Sequence, residues 1–169
     1  GLPTRLPADM PSAGRLADLS VSGQVRVEAF GLLPSIPWDQ GIAEAWVPFD
    51  YEVSAIAARS VDGDIEFYPL THNQHAGGIL RYSRAPVDIP ELDAQARQAI
   101  QKMLDELDYV GVLALELFVH DGILLANEFA PRVHNSGHWT IEGAATSQFE
   151  NHLRAILDLP LGDTAPFGW

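Results

Sequence analysis

The sequence contains no cysteine and only one lysine, Lys102, and each shortage removes a class of function. Without cysteine, the chain forms no disulfide, no thiolate metal site and no cysteine nucleophile, which suits a reducing cytoplasm. Basic residues number 10 against 23 acidic ones, for a formal net charge of −13. This charge argues against nucleic acid as a partner, because a phosphate backbone binds basic surfaces.

Long apolar runs are also missing. The longest one, residues 110–115, stops at Glu116, well short of the roughly 20 residues that a membrane helix needs. The first residues have neither the basic nor the apolar region of a secretory signal. A chain of 169 residues with 47% hydrophobic composition has the size and apolar content of one globular domain with a real core. We therefore expect a cytoplasmic protein that acts on small molecules.

In the first half of the chain, a regular pattern of apolar stretches and turn residues begins only after residue 44. Apolar stretches at residues 53–59 and 65–68 flank Asp62-Gly63, a dipeptide typical of tight hairpin turns. A third extended piece follows at residues 79–83. These segments predict an antiparallel sheet.

The second half alternates helical and extended patterns. Pro90 suits a first helical position, and apolar residues follow it at helical spacing. They are Leu92, Ala96, Ile100, Met103, Leu104 and Leu107. Strands are predicted at residues 110–120 and 123–129, and a capping box at Ser147 to Glu150 opens a last helix. Its predicted apolar face consists of Phe149, Leu153, Ile156 and Leu157. The predicted fold class is α+β, an antiparallel sheet with packed helices.

Two glutamates interrupt the apolar strands. Glu116 stands in a strand whose other residues look buried on both faces, and Glu128 repeats the pattern in the next strand. A buried carboxylate needs compensation. A salt bridge or a solvent-facing position at a sheet edge would supply it, and so would a metal ion shared by both carboxylates.

Whether the two carboxylates face each other depends on the loop between the strands, because side chains alternate faces along a strand. A two-residue turn at Asp121-Gly122 would place Glu116 opposite Asn127 and leave the glutamates on opposite faces. A three-residue loop would set Glu116 across from Glu128. Facing carboxylates repel unless a cation lies between them, and Mg²⁺ with nucleotide phosphates is the common solution. A metal site therefore predicts an odd loop or a bulge at residues 121 to 123.

Residues 127–140 carry a specific motif, NEFAPRVHNSGHWT. It is similar, almost letter for letter, to the signature loop of the carboxyaminoimidazole ribonucleotide synthase family of ATP-grasp ligases. Similar stretches lie upstream at residues 46–54 and 67–81, and the likeness continues downstream to residue 162. About residues 44 to 165 thus resemble the family, which implies the C-terminal half of an ATP-grasp nucleotide-binding domain.

The resemblance implies ATP-dependent carboxylation of 5-aminoimidazole ribonucleotide with bicarbonate, through carboxyphosphate, in de novo purine (IMP) biosynthesis. The product would be N5-carboxyaminoimidazole ribonucleotide. The implied reactants are ATP, bicarbonate and the ribonucleotide, with Mg²⁺ as cofactor and a homodimer as the implied assembly. Such phosphoryl transfer needs mainly alignment and charge neutralisation, which metal ions and arginines supply.

The resemblance also implies roles for the acidic residues and their neighbours. Glu116 and Glu128 would be the magnesium ligands, with Asn127 beside them at the nucleotide. Glu44 and Glu52 fall where the family places acidic residues around the nucleotide ribose. Ordinary surface acids are the alternative for both.

Catalytic roles are implied in the loop after the second glutamate. Arg132 has a planar fork suited to two-point contact with bicarbonate or carboxyphosphate. His134 and His138 could orient substrate or assist proton transfer. Substrate contacts are implied for His72, Asn73, His75, Arg81 and Asn135. The alternative for each is an ion pair or a structural hydrogen bond, and a zinc site at His72 and His75 lacks a third ligand nearby in sequence.

One part of the family pattern is missing. ATP-grasp enzymes close a glycine-rich loop and two lysines over the phosphates, whereas Lys102 lies in the predicted helix after Pro90. We therefore expect residues 1–43 to be a degenerate remnant of the lid region, residues 44–165 to be the catalytic core, and residues 166–169 to begin a further segment of a longer protein. The alternatives are another ATP-grasp ligase, such as formate-dependent glycinamide ribonucleotide transformylase, or a non-catalytic nucleotide- or metal-binding module. The string at residues 130–139 argues against the transformylase.

Overall fold

The computed structural model describes residues 47–167. The predicted lid remnant and Glu44 lie outside the described residues, as do residues 168 and 169. The described strands are β1 (Tyr51–Arg59), β2 (Ile65–Phe67), β3 (Thr71–Ala76), β4 (Ile79–Arg84), β5 (Gly111–His120) and β6 (Ile123–Ala130). The helices are α1 (Pro90–Glu106), α2 (Thr140–Gly143) and α3 (Gln148–Ile156), and a 3-10 turn spans Asn135–Gly137.

The strands form one antiparallel sheet in the order β4-β3-β1-β5-β6, and β2 pairs with the end of β1. The two apolar strands β1 and β5 lie at its centre and pair from Tyr51 with Val119 to Arg59 with Gly111. This position agrees with their composition, since a central strand is covered on both faces. The predicted fold class, an antiparallel sheet with packed helices, is confirmed.

Helix α1 covers one face of the sheet. It begins at Pro90, as the sequence predicts, and its buried residues Leu92, Ala96, Ile100 and Leu104 pack with Val53, Ala55, Leu115 and Leu117. Their spacing of four residues matches the period of the helix, so one stripe faces the core. Leu107, predicted for the same stripe, lies just past the helix end and is 51% exposed. The opposite face of the sheet is therefore left for the site.

Helix α3 packs on the opposite face and contradicts part of the prediction. Ser147 caps it by accepting a hydrogen bond from the Glu150 N–H at 3.1 Å. Its buried residues, however, are Gln148, Asn151 and Ala155. The predicted apolar residues Leu153, Ile156 and Leu157 are 54%, 50% and 64% exposed. The prediction was wrong because this helix contacts backbone groups of neighbouring loops, which require amides rather than leucines.

Strand β3 is not predicted by the sequence pattern, because its residues THNQHA are mostly polar. The strand forms because it is held between β1 and β4, a tertiary effect that overrides composition. None of the helices within residues 47–167 combines the length and the apolar content needed to cross a membrane.

Candidate functional site

Glu116 and Glu128 are direct partners across β5 and β6. The predicted juxtaposition of the two carboxylates is thus confirmed, but the predicted position of the irregularity is wrong. The turn has two residues, since His120 pairs with Ile123, and the register shifts later, between Glu116 and Leu117 on β5. The extra residue is Asn127.

The turn itself explains why the irregularity lies elsewhere. Asp121 and Gly122 both have positive φ, 49° and 73°, as a two-residue type I′ turn requires. This turn fits the twist of the strands, so the odd residue is accommodated within β6. Among the strands of residues 47–167, β6 is the last in the order and so lies at the sheet edge, where bulges are common and re-aim side chains. The bulge at Asn127 thereby brings Glu128 to the face of Glu116.

The two carboxylates differ in environment. The Glu116 side chain is 14% exposed, and burial, followed by the charge of Glu128, raises the pKa of its carboxyl. Glu128 is exposed. Ligand atoms of Glu116, Glu128 and His134 all lie within 4.8 Å of one another. Two facing carboxylates, one of them mostly buried, are the donor set that suits a hard divalent cation, so Glu116 and Glu128 fit Mg²⁺.

His134 lies in the loop after β6 and is fixed at both ring nitrogens. Its Nδ1 accepts a hydrogen bond from the Ser136 N–H at 3.4 Å, with the Ser136 Oγ 2.9 Å away. Its Nε2 lies 3.4 Å from the Glu116 Oε1. Burial, followed by the charge of Arg132, lowers the pKa of the imidazole. A neutral ring whose Nδ1 accepts carries its proton on Nε2, where it faces the Glu116 carboxylate.

The backbone of His134 is held by Gln148, the first residue of α3. The Gln148 Oε1 accepts from the His134 N–H at 3.0 Å, and the Gln148 Nε2 donates to the His134 carbonyl at 2.6 Å. Gln148 is fully buried. This contact is not predictable from the sequence, because nothing in a capping-box pattern indicates a partner 14 residues upstream.

Glu52 and His75 form a close pair on the same face of the sheet. The His75 Nδ1 contacts the Glu52 Oε2, with side-chain exposures of 26% and 18%. The charges of both residues act on the pKa of Glu116, so they border the carboxylate pair. The family resemblance implies separate roles for Glu52 at the nucleotide and His75 at the substrate, whereas in the structure the two side chains are in contact.

The remaining predicted substrate residues of this hairpin occupy different positions. The Asn73 amide is buried and bonded on both sides, to the Ser54 and Ser83 hydroxyls. His72 lies against Tyr51, with ring centroids 5.5 Å apart, and Cα-pairs with Val53 of the α1 face. The structure does not bring His72 to the carboxylates. Arg81 is the extra residue of a second bulge, since Gln74 pairs with Tyr82 and His75 with Leu80.

The last group of predicted residues lies at the exposed rim. Arg132, Asn135 and His138 are exposed, as is Asn127. Arg132 donates to the Val133 carbonyl at 2.9 Å, and its charge lowers the pKa of both Glu116 and His134. His138 packs against Phe149, with ring centroids 5.8 Å apart. The loop therefore presents one guanidinium and one imidazole to solvent, and the guanidinium acts on the Glu116 carboxyl.

Comparisons with known proteins identify the same region. The family model of the ATP-grasp domain matches residues 25–149. The N5-carboxyaminoimidazole ribonucleotide synthase of Pseudomonas aeruginosa is 58% identical over 140 residues, which cover 83% of this chain and 38% of that protein. The chain thus spans well under half the length of this curated relative.

Two solved structures are similar in fold as well as in sequence. The N5-carboxyaminoimidazole ribonucleotide synthetase of Thermus thermophilus matches with a TM-score of 0.72 and 60% identity, over 74% of this chain and 35% of that one. The N5-carboxyaminoimidazole synthase of Aspergillus clavatus, solved in complex with ADP and 5-aminoimidazole ribonucleotide, matches with a TM-score of 0.66 and 36% identity. That match covers 70% of this chain and 32% of the other.

Proposed function

Because the chain belongs to the ATP-grasp family, we propose that it carries the magnesium and substrate half of a site for ATP-dependent carboxylation of 5-aminoimidazole ribonucleotide. The carboxyl source in this proposal is bicarbonate, activated as carboxyphosphate, and the product is N5-carboxyaminoimidazole ribonucleotide for purine biosynthesis. The Aspergillus relative with ADP and 5-aminoimidazole ribonucleotide supports the choice of substrates.

The observation that carries the proposal is the facing pair of Glu116 and Glu128. Two ionised carboxylates held against each other, one of them mostly buried, repel, and a cation bound between them relieves the repulsion while both stay ionised. Mg²⁺ bound there would neutralise charge on the phosphates of ATP. The pair therefore supports a metal-dependent phosphoryl-transfer site more strongly than a surface ion pair.

The other residues of the site support the substrate side of the proposal. Arg132 offers a two-point contact for a planar anion such as bicarbonate, and it lies in the loop directly after β6, the strand that carries Glu128. His134 holds a proton on Nε2 and directs it into the site, and the exposed His138 is free to meet the ribonucleotide. We assign Asn127, Glu52 and Glu44 to the nucleotide, and His75, Arg81 and Asn135 to the substrate, with Glu44 outside the described residues.

Isothermal titration with MgATP tests the proposal. We expect binding by the wild type and a loss of at least about tenfold in affinity for Glu128→Gln, since the variant removes one charged ligand. The matched control is Glu106→Gln, the same change at the exposed end of α1, which should bind as the wild type does. Absence of any binding would leave only a structural remnant.

A second measurement separates the candidate reactions. ADP release that requires both bicarbonate and 5-aminoimidazole ribonucleotide would establish the proposed activity. ADP release with glycinamide ribonucleotide and formate would overturn it in favour of the transformylase. Binding of MgATP without ADP release under either condition would identify a non-catalytic module.

Location and assembly belong to the same proposal. The absence of cysteine supports a reducing cytoplasm. The exposed Leu153 and Ile156 of α3, with Leu157 just past its end, support a homodimer, because apolar side chains on the surface favour association.

A further inference from the structure

Helix α3 holds the loop of His134 by a two-point contact with backbone atoms. The amide of Gln148 occupies both the N–H and the C=O of His134, at 3.0 and 2.6 Å. Gln148 is 0% exposed, so water cannot replace either bond once it is lost. One side chain therefore satisfies both backbone groups of the residue that touches Glu116.

Two neighbouring contacts tie the rest of the loop to the same residue. The Gln148 N–H donates to the Thr140 Oγ1 at 3.0 Å, and the Thr140 hydroxyl donates to the Gly137 carbonyl at 2.7 Å. A Cβ at Gly137 would lie 2.6 Å from the Gln148 Cδ and Oε1. The loop thus approaches the amide so closely that only glycine fits there.

The contacts continue from Gln148 to the carboxylates. Gln148 holds the backbone of His134, and Ser136 contacts the Nδ1 of its ring. The other ring nitrogen, Nε2, lies 3.4 Å from the Glu116 Oε1. We infer that Gln148 is a positioning residue of the site, which sets the His134 imidazole against the carboxylate pair through its two backbone hydrogen bonds. A role for Gln148 in catalysis rests on the proposed function, whereas its effect on the position of the His134 ring can be tested independently.

The chain offers a matched control one turn further along α3. Asn151 is also 0% exposed and makes the same kind of two-point contact, with the Gly162 carbonyl at 3.0 Å and the Gly162 N–H at 2.8 Å. It holds a loop outside the candidate site. Asn151→Leu removes this two-point contact and also the hydrogen bond from the Asn151 Nδ2 to the Tyr68 hydroxyl at 2.9 Å. Its expected loss of stability is therefore at least as large as that of Gln148→Met, and only Gln148→Met should affect the site.

The primary measurement is the NMR spectrum of the histidine side chains in ¹³C,¹⁵N-labelled protein, with the His134 signals assigned by their loss in His134→Ala. We expect Gln148→Met to shift or broaden the His134 imidazole signals and Asn151→Leu to leave them in place. Unchanged signals in Gln148→Met, or equal changes in both variants, would overturn the inference. If Gln148→Met does not fold, Gln148→Asn replaces it, because asparagine keeps the amide and its shorter side chain withdraws both polar groups from the His134 backbone.

Mn²⁺ binding, followed by electron paramagnetic resonance, gives the second measurement. Residues that orient metal ligands typically change affinity by about 10–100-fold, so we expect Gln148→Met to weaken Mn²⁺ binding on the order of 10-fold and Asn151→Leu by less than about 2-fold. Equal weakening would contradict a positioning role. A wild type that binds no Mn²⁺ would refute the proposed function, while the histidine signals would still decide whether Gln148 positions His134.

Discussion

The Glu116 carboxyl is mostly buried and faces a second carboxyl, so its ionisation in the absence of a cation is unfavourable. Burial raises its pKa above the ordinary value of 4.5. A raised pKa means that the folded state binds the proton more tightly than the unfolded state. The associated stability is fully present below pH 4.5 and is lost as the pH rises through the raised pKa. At neutral pH the protein therefore carries the cost of this charge.

Glu116→Gln should consequently stabilise the protein while it removes a metal ligand. We expect the free energy of unfolding at pH 7 to rise by about 1 kcal/mol, within the usual range for relieving an unfavourable group. The gain should shrink as the pH falls through the raised pKa towards 4.5, because protonation of the wild-type carboxyl relieves the same cost. Urea denaturation between pH 4.5 and 8, with Glu106→Gln as control, measures the difference. A gain that does not depend on pH would show that the carboxyl charge is not the cause.

His134 has the opposite pH dependence. Its pKa is lowered from the ordinary 6.5 by burial, so the stability linked to its neutral form is present above pH 6.5 and is lost as the pH falls through the lowered pKa. In the wild type this slope opposes that of Glu116. The Glu116→Gln curve should therefore rise more steeply with pH than the wild-type curve below pH 6.5.

At the scale of elements, the bulge in β6 decides which face Glu128 occupies. From His120 with Ile123 to Leu117 with Ala126, the strands pair in the register that a two-residue turn sets. The extra residue Asn127 then shifts this register by one and places Glu128 opposite Glu116. Without an extra residue, the residue at position 127 would face Glu116. Deleting Asn127 moves Glu128 into that position, so a regular hairpin would keep the same two carboxylates together.

We therefore expect the deletion of Asn127 to fold and to retain Mn²⁺ binding, weakened less than in Glu128→Gln. Asn127→Ala is the control, because it keeps the bulge and removes only the side chain. Binding can be compared by titration, and pairing of Glu116 with Glu128 by cross-strand NMR contacts. If the deletion abolishes binding while Asn127→Ala does not, the local twist of the bulge is needed in addition to the facing of the carboxylates.

The same elements show how far sequence reasoning reaches. The stripe of α1 and the apolar strands β1 and β5 follow from periodicity, because each packs its own apolar residues against one core. The position of the bulge in β6 does not follow from periodicity, because it depends on the type of the turn and on the place of β6 in the sheet. Helix α3 buries a different face from the predicted one, because Gln148 and Asn151 bind backbone groups more than ten residues away in sequence. In the site, the strand pattern and the motif predict the two glutamates. Neither predicts the contact of the Gln148 amide with the His134 backbone.

At the scale of the whole molecule, charge sets the response to ions. A net charge of −13 destabilises the compact state through self-repulsion, and monovalent salt screens that repulsion. Any salt should therefore raise Tm to some degree. A specific effect of Mg²⁺ at Glu116 and Glu128 has to be separated from this general one.

Thermal unfolding at constant ionic strength separates the two effects. Mg²⁺ at ten times its Kd should add about 1.4 kcal/mol to the stability of the wild type, which corresponds to a rise in Tm of roughly 3–6 °C for a chain of this size. Glu128→Gln should keep the response to NaCl, because its net charge changes by only one unit, and should lose the additional response to Mg²⁺. Equal responses of both proteins would mean that Mg²⁺ acts only through screening, and the facing carboxylates would then not be a metal site.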